Sequence, residues 1–193
     1  MNINRFTLAR QAQTVQRYHI ERTIRRQSVG EHTFGVLCVA MELSNGSMSA
    51  ALVSAILHHD VPEAITGDVP ATARWKSPAL QASLALLDNE VIERYGLQDH
   101  ELLSPAELRI LKLSDLLELV MFCIEDAEMG NVNAMNIANR AWDSLWDNYL
   151  GADENTVRIT TMSGKFKSEA ERELISYIEQ RHETVRRFYE RGR

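Results

Sequence analysis

Cysteine is nearly absent from this 193-residue chain: only Cys38 and Cys123 occur, each inside an apolar helical pattern. Two such thiols build neither a disulfide framework nor a thiolate metal site, so both are expected in the core of a protein from a reducing compartment. Long apolar runs are also missing, and residues Met1 to Ile20 carry Arg5, Arg10, Arg17 and several glutamines where a signal peptide would be hydrophobic. The expectation is a soluble, cytoplasmic protein that makes no use of a membrane. Positive charge is not in excess either. A net charge of −6 opposes nonspecific attraction to a phosphate backbone, which excludes polymeric nucleic acid as the main partner while allowing a local cationic pocket for one nucleotide. No stretch rich in Gly, Ser or Pro separates two halves, so residues 1–193 read as a single domain.

What is present is helical periodicity, with alternating strand patterns almost absent. Ser28 and Glu31 form a capping box that opens a helix carrying Val36, Leu37, Val39, Ala40 and Leu43, with His32 in its first turn. Met48 to Leu57 reads as a second helix, ended near Pro62, which removes a backbone donor. Ser77-Pro78 starts a third, striped by Leu80, Leu84, Leu87 and Val91 and stopped by Gly96. A second capping box, Ser104 with Glu107, opens a helix expected to reach about Glu128, before Gly130-Asn131. Trp142, Leu145, Trp146 and Tyr149 recur at spacings of three and four as a packing stripe, with a cofactor box as the alternative. Ser168 with Glu171 caps the last helix, which carries Leu174, Ile178 and Val185 on one side. The fold class is all-α.

The chemistry concentrates between Leu57 and Pro70, where His58, His59, Asp60, Glu63 and Asp68 share fourteen residues with two prolines. Two imidazoles and two carboxylates, His32, His59, Asp60 and Asp115, suit a borderline or hard divalent ion and leave room for water and a phosphate oxygen. Asp115 is unusual for its place. Leu108, Lys112, Asp115 and Leu119 follow one another at spacings of four, three and four, so the carboxylate lies in a stripe that ought to be apolar. Burying it is costly without a cation, whether a metal ion or Lys112 on the same face. His58 points away from His59 and reads as a packing or supporting residue, and His19, His100 and His182 as surface or satisfied histidines.

The ordered set His32, His59-Asp60 and Asp115 resembles the HD-domain metal phosphohydrolases. Within them, Arg17-Tyr18, Val29-Gly30-Glu31-His32, His59-Asp60-Val61-Pro62-Glu63 and Thr66-Gly67-Asp68-Val69-Pro70 are similar to the signature of the YfbR-like 5'-deoxynucleotidases and of their phage relatives that hydrolyse dATP to deoxyadenosine and triphosphate. The resemblance spans roughly Arg17 to Gly130. It implies an HD-type helical bundle in which His32, His59, Asp60 and Asp115 hold one divalent ion: cobalt, manganese, zinc or magnesium. It also implies that Glu63 assists proton transfer, that Arg17 orients the phosphate, and that Asp68 with Val69 and Pro70 meets the sugar. Tyr18 stands where the nucleotidases are expected to have a tryptophan against the deoxyribose. Arg17 and Lys112 add fixed positive charge to the catalytic set, and Arg74, with Arg25, Arg26 and Lys76, offers more than one phosphate needs.

The expected activity is therefore metal-dependent hydrolysis of a 2'-deoxynucleotide at the 5' phosphoester, foremost a dNTP (dATP) triphosphohydrolase releasing deoxynucleoside and triphosphate. The alternatives are a 5'-deoxynucleotidase acting on dNMPs, a different HD phosphodiesterase, and a nucleotide-binding module without turnover. The relatives also imply a homo-oligomer, working in a host's cytoplasm if the chain is phage-encoded.

Overall fold

The computed structural model describes residues 4–97, 103–147 and 168–191, apart from the side chains of Thr72 and Trp75. The described chain is all-α, with one two-residue strand pair. Its elements are α1 (Arg5–Ala12), β1 (Gln16–Arg17), β2 (Gln27–Ser28), α2 (Val29–Leu43), α3 (Ala50–His58), α4 (Glu63–Thr66), α5 (Ala71–Lys76), α6 (Pro78–Tyr95), α7 (Pro105–Glu128), α8 (Val132–Leu145) and α9 (Glu169–Arg191). Two compact units divide them: Met1–Leu37 with Ser49–Leu108, and Cys38–Met48 with Arg109–Arg193. Among the described residues, no helix is long and apolar enough to cross a membrane.

In the first unit, α1 begins where Asn4 accepts a hydrogen bond from the Thr7 N–H, and it buries Leu8 and Ala12. These pack with Val61, Val91 and Leu97 in one apolar cluster, which anchors the α4 region and the end of α6. Arg5 donates to the Gly96 carbonyl, and Gly96 takes the left-handed conformation (φ 60°) that ends α6. The strands pair antiparallel, Gln16 with Ser28 and Arg17 with Gln27, so that residues 18–26 form a loop brought back to the start of α2.

Gly30 is where backbone meets backbone. Its N–H donates to the Gln13 carbonyl, and a Cβ there would lie 3.0 Å from the Gln13 Cβ and 3.1 Å from its carbonyl oxygen. Gly30→Ala is therefore expected to lower stability. Overpacking costs about 1–3 kcal/mol, and the gain in helix propensity offsets up to about 1 kcal/mol of it. The midpoint of urea unfolding checks this, and an unchanged or higher midpoint would show that Gln13 can yield.

In the second unit, α7 buries Leu111, Leu113, Leu117, Val120, Phe122 and Ile124. Arg109 reaches α9 through a two-pronged ion pair with the buried Glu171, at 2.9 and 2.5 Å. The Tyr189 hydroxyl donates to the Ala127 carbonyl, and Arg181 pairs with Glu128. His182 on α9 is buried, stacked on Trp142 of α8 with ring centroids 5.3 Å apart, and 2.8 Å from the Asn139 side-chain oxygen. Trp142 also meets Trp146 edge-on at 6.5 Å, so this stripe packs as a core element, while Tyr149 lies outside the described residues.

Two sequence expectations change. Cys123 is buried, but Cys38 is exposed: α2 is apolar around most of its circumference, and the pattern alone could not tell which side faces solvent. At the last helix Ser168 does cap, accepting from the Glu171 N–H, but the Glu171 carboxylate turns to Arg109 and the box is not closed.

Candidate metal centre

His32 is placed by the capping box that opens α2. The Ser28 N–H donates to Glu31 Oε2 at 2.7 Å and the Glu31 N–H donates to Ser28 Oγ at 3.2 Å, which satisfies two orphan donors and holds the Glu31 carboxyl below its usual range. One residue further on, the His32 side chain is fully buried. His59 and Asp60 come from the end of α3, which Ser49 caps by accepting from the Leu52 N–H while donating to Glu107. The helix does not survive Pro62. It ends at His58, and α4 restarts at Glu63.

His59 Nδ1 lies 2.6 Å from the Ile56 carbonyl oxygen. A carbonyl can only accept, so Nδ1 carries the proton and Nε2 presents a lone pair, which is how metal-binding imidazoles are oriented. His59 Nε2 is 3.4 Å from His32 Nε2 and 3.4 Å from Asp60 Oδ2, and the remaining separation, His32 Nε2 to Asp60 Oδ2, is 3.6 Å. A point equidistant from the three atoms lies about 2.0 Å from each, the bond length of a divalent transition metal to nitrogen or oxygen. The donors present thus fit such an ion.

Around this triangle the charges alternate. Arg17 on β1 points Nη1 toward Asp60 Oδ2 at 3.9 Å, and its guanidinium lies 5.7 Å from the centre of the Tyr18 ring. Tyr18 has a left-handed backbone (φ 55°), and its N–H donates to Asp68 Oδ2 at 3.2 Å; His19 Nδ1 is 4.0 Å from the same oxygen. Asp68 follows Gly67 (φ 70°), with Val69 and Pro70 leading into α5. Glu63 is largely buried, and its Oε2 has no hydrogen-bond partner among the described residues. Burial first, then the negative charges of Asp60 and Asp68, push its carboxyl up to about 8 against the pull of Arg17 and Arg74.

A family profile described as 5'-deoxynucleotidase YfbR-like matches residues 4–152, most of the chain. The chain belongs to this family. It is an HD-domain phosphohydrolase by that membership. Curated relatives include the 5'-deoxynucleotidases of Yersinia pestis (strain Pestoides F) and Yersinia pseudotuberculosis (serotype O:3, strain YPIII), each 27% identical over 138 residues, 61% of this chain and 70% of the relative. Among solved structures, the HD phosphohydrolase DatZ of cyanophage S-2L, bound to dA and one catalytic Zn2+ ion, is similar in fold with a TM-score of 0.67 at 18% identity, covering 95% of this chain and 99% of that one. A protein of Pyrococcus horikoshii OT3 is also similar, with a TM-score of 0.60 at 18% identity over 92% of this chain and 96% of that one.

Of the residues singled out in this YfbR-like sequence, the first unit therefore brings together His32, His59, Asp60, Arg17, Tyr18, Glu63 and Asp68, with Arg74 on α5 near enough to act on Glu63 by charge. Lys112 and Asp115 belong to the second unit, both half-buried on α7. His58 hydrogen-bonds Ser54 Oγ at 3.3 Å, and burial lowers its affinity for a proton, in line with a packing role. His100 lies outside the described residues. One carboxylate went unnoticed in the sequence. Asp88 on α6 is half-buried, its pKa raised by burial and by the charge of Asp60 and lowered by Arg74. The signal was there: Asp88 stands four residues after Leu84 and three before Val91, inside the apolar stripe.

Proposed function

We propose that the chain, acting as one catalytic domain, hydrolyses 2'-deoxynucleoside triphosphates at the 5' phosphoester, dATP foremost, releasing deoxynucleoside and triphosphate. The observation that carries the reading is the triangle of His32, His59 and Asp60 with Arg17 beside it. Asp115 is the fourth ligand in this proposal, because it completes the ordered set His32, His59-Asp60 and Asp115 that carries the family resemblance. When bound, the divalent ion supplies an acidified water and polarises the phosphoryl oxygen.

The rest is the work of the side chains. Arg17 neutralises the phosphate at the scissile bond, and Lys112 adds a second fixed charge. Glu63 lies among carboxylates that favour its protonated form, and it serves as the proton donor to the departing 5' oxygen. Asp68 holds the Tyr18 N–H through Oδ2 and keeps its other oxygen to accept from a 3'-hydroxyl, with the backbone of Val69 and Pro70 beside it. The Tyr18 ring, backed by Arg17, packs on the sugar where a 2'-hydroxyl would intrude. Arg74 takes up charge beyond the first phosphate, which is the reason to place a triphosphate here.

A second reading, a 5'-deoxynucleotidase acting on dNMPs, is favoured by the names of the curated relatives. Chromatography of the products from each dNTP and dNMP, with metal-free and with zinc-, cobalt- or manganese-loaded protein, separates the two. Triphosphate from a dNTP supports the first reading, phosphate from dNMPs alone supports the second, and no metal-dependent turnover removes both in favour of nucleotide binding without catalysis. The reaction is assigned to the cytoplasm, where the deoxynucleotides are, and a host's cytoplasm in the case of a phage protein.

Tyr18→Ala is expected to reduce the preference for deoxyribo- over ribonucleotides by about tenfold, since one apolar contact is worth 1–3 kcal/mol. The ratio of kcat/KM for dATP and ATP measures it, and an unchanged ratio places the discrimination elsewhere.

A further inference from the structure

In the first unit, residues 18–21 close into a four-residue turn: the Glu21 N–H donates to the Tyr18 carbonyl at 2.9 Å, so His19 and Ile20 occupy the two central positions. The chain enters this turn through the left-handed backbone of Tyr18, and the segment opposite leaves the left-handed Gly67 (φ 70°). One carboxylate oxygen joins the two. Asp68 Oδ2 accepts the Tyr18 N–H at 3.2 Å and lies 4.0 Å from His19 Nδ1. Among the described residues, no hydrogen bond and no other ion pair engages the His19 ring. The Asp68 side chain is 13% exposed and the imidazole 47%, so the carboxylate is walled in while the ring keeps room to turn.

A single donor does not fix a carboxylate. The terminal torsion of an aspartate is broad, and Asp68 held only by the Tyr18 N–H could swing its free oxygen about that contact. A second donor on the same oxygen removes the swing. We infer that His19 is a positioning residue for Asp68, its Nδ1–H donating to Oδ2 when a sugar is bound and fixing the other oxygen where it accepts from a 3'-hydroxyl. In the unliganded protein 4.0 Å is too long for a hydrogen bond. Contacts of this kind commonly tighten when substrate arrives, and a half-exposed imidazole is free to rotate into one. Nδ1 carries a proton in the imidazolium and in one neutral tautomer, so the contact does not require a charged ring. The inference rests on the sugar-binding role proposed for Asp68 and adds the side chain that aims it. Its consequence is a preference for nucleotides with a 3'-hydroxyl, separate from the deoxy-over-ribo choice assigned to the Tyr18 ring.

The test compares kcat/KM for dATP, 2',3'-dideoxy-ATP and ATP in wild type, His19→Ala and His19→Asn, each full-length and metal-loaded. The asparagine amide nitrogen stands in for Nδ1. Wild type is expected to prefer dATP to its dideoxy analogue at least about 30-fold, since a site built around a hydroxyl rejects the analogue lacking it. His19→Ala should cut that preference about tenfold, the weight of one hydrogen bond to a charged group, and His19→Asn should restore most of it. The preference for dATP over ATP should not move in either variant. A loss shared equally by dATP and its dideoxy analogue overturns the inference, because it marks a displaced loop, and so does an asparagine variant no better than alanine. An alanine variant that discriminates as well as wild type refutes His19 alone, whereas a wild type blind to the 3'-hydroxyl refutes the sugar role of Asp68 and the inference with it. Titration with deoxyadenosine and 2',3'-dideoxyadenosine makes the same comparison without turnover, which tells a wrong reaction apart from a wrong assignment of His19.

Discussion

Asp60→Ala is expected to leave the helical fold intact while removing the divalent ion and lowering kcat/KM at least about 10³-fold. Asp60 Oδ2 is one corner of the triangle, 3.4 Å from His59 Nε2 and 3.6 Å from His32 Nε2. Without it two imidazoles remain of the triangle in this unit, and the carboxylate that follows α3 is gone. The loss also removes a carboxylate oxygen 3.9 Å from the Arg17 guanidinium. Metal content by plasma emission spectroscopy and turnover should fall together. Full metal loading with normal turnover would remove Asp60 from the centre, and Asp115→Ala applies the same measurement to the proposed fourth ligand.

Glu63→Gln should cost about 10²–10⁴-fold in kcat, the usual contribution of a positioned proton donor, with little change in metal content. It carries a second signature in the metal-free protein. The folded-state carboxyl is raised from 4.5 to about 8, so between those values the folded chain holds a proton that the unfolded chain has released. The contribution of Glu63 to stability is therefore fully present below about pH 4.5 and is lost as pH rises through 8. Glutamine cannot ionise, so the variant should lose less stability than wild type on going from pH 6 to pH 9. Bound metal opposes this effect, because a nearby cation favours the carboxylate. Equal kcat in the two proteins, or stability curves of the same shape, would count against the assignment.

The parts of the fold that were legible in the sequence are those fixed by near neighbours. Ser28 with Glu31 and Ser104 with Glu107 close their boxes because each partner is three residues away, within one helical turn. Pro62 breaks a helix by its own covalent geometry. Helix α1 was not legible: it is rich in arginine and glutamine and buries only Leu8 and Ala12, and it depends on packing against Val61, Val91 and Leu97, up to eighty-nine residues away. Long separation also hid the Arg109–Glu171 pair, which a capping motif seemed to explain. In the site, His32, His59 and Asp60 were visible as residue types at telling positions. The proton on His59 Nδ1 and the burial of Glu63 were not, because both come from tertiary packing.

Tyr18 holds its backbone at φ 55°, a conformation that costs a bulky residue about 1–2 kcal/mol and glycine almost nothing. A library of this protein sorted only for heat resistance should therefore drift to glycine or asparagine at position 18, keeping the bond to Asp68 while discarding the ring. Under the proposed role of the Tyr18 ring, survivors of such a sort would be sturdier proteins with poorer judgement between sugars. At this one position, engineering for endurance and engineering for fidelity pull against each other.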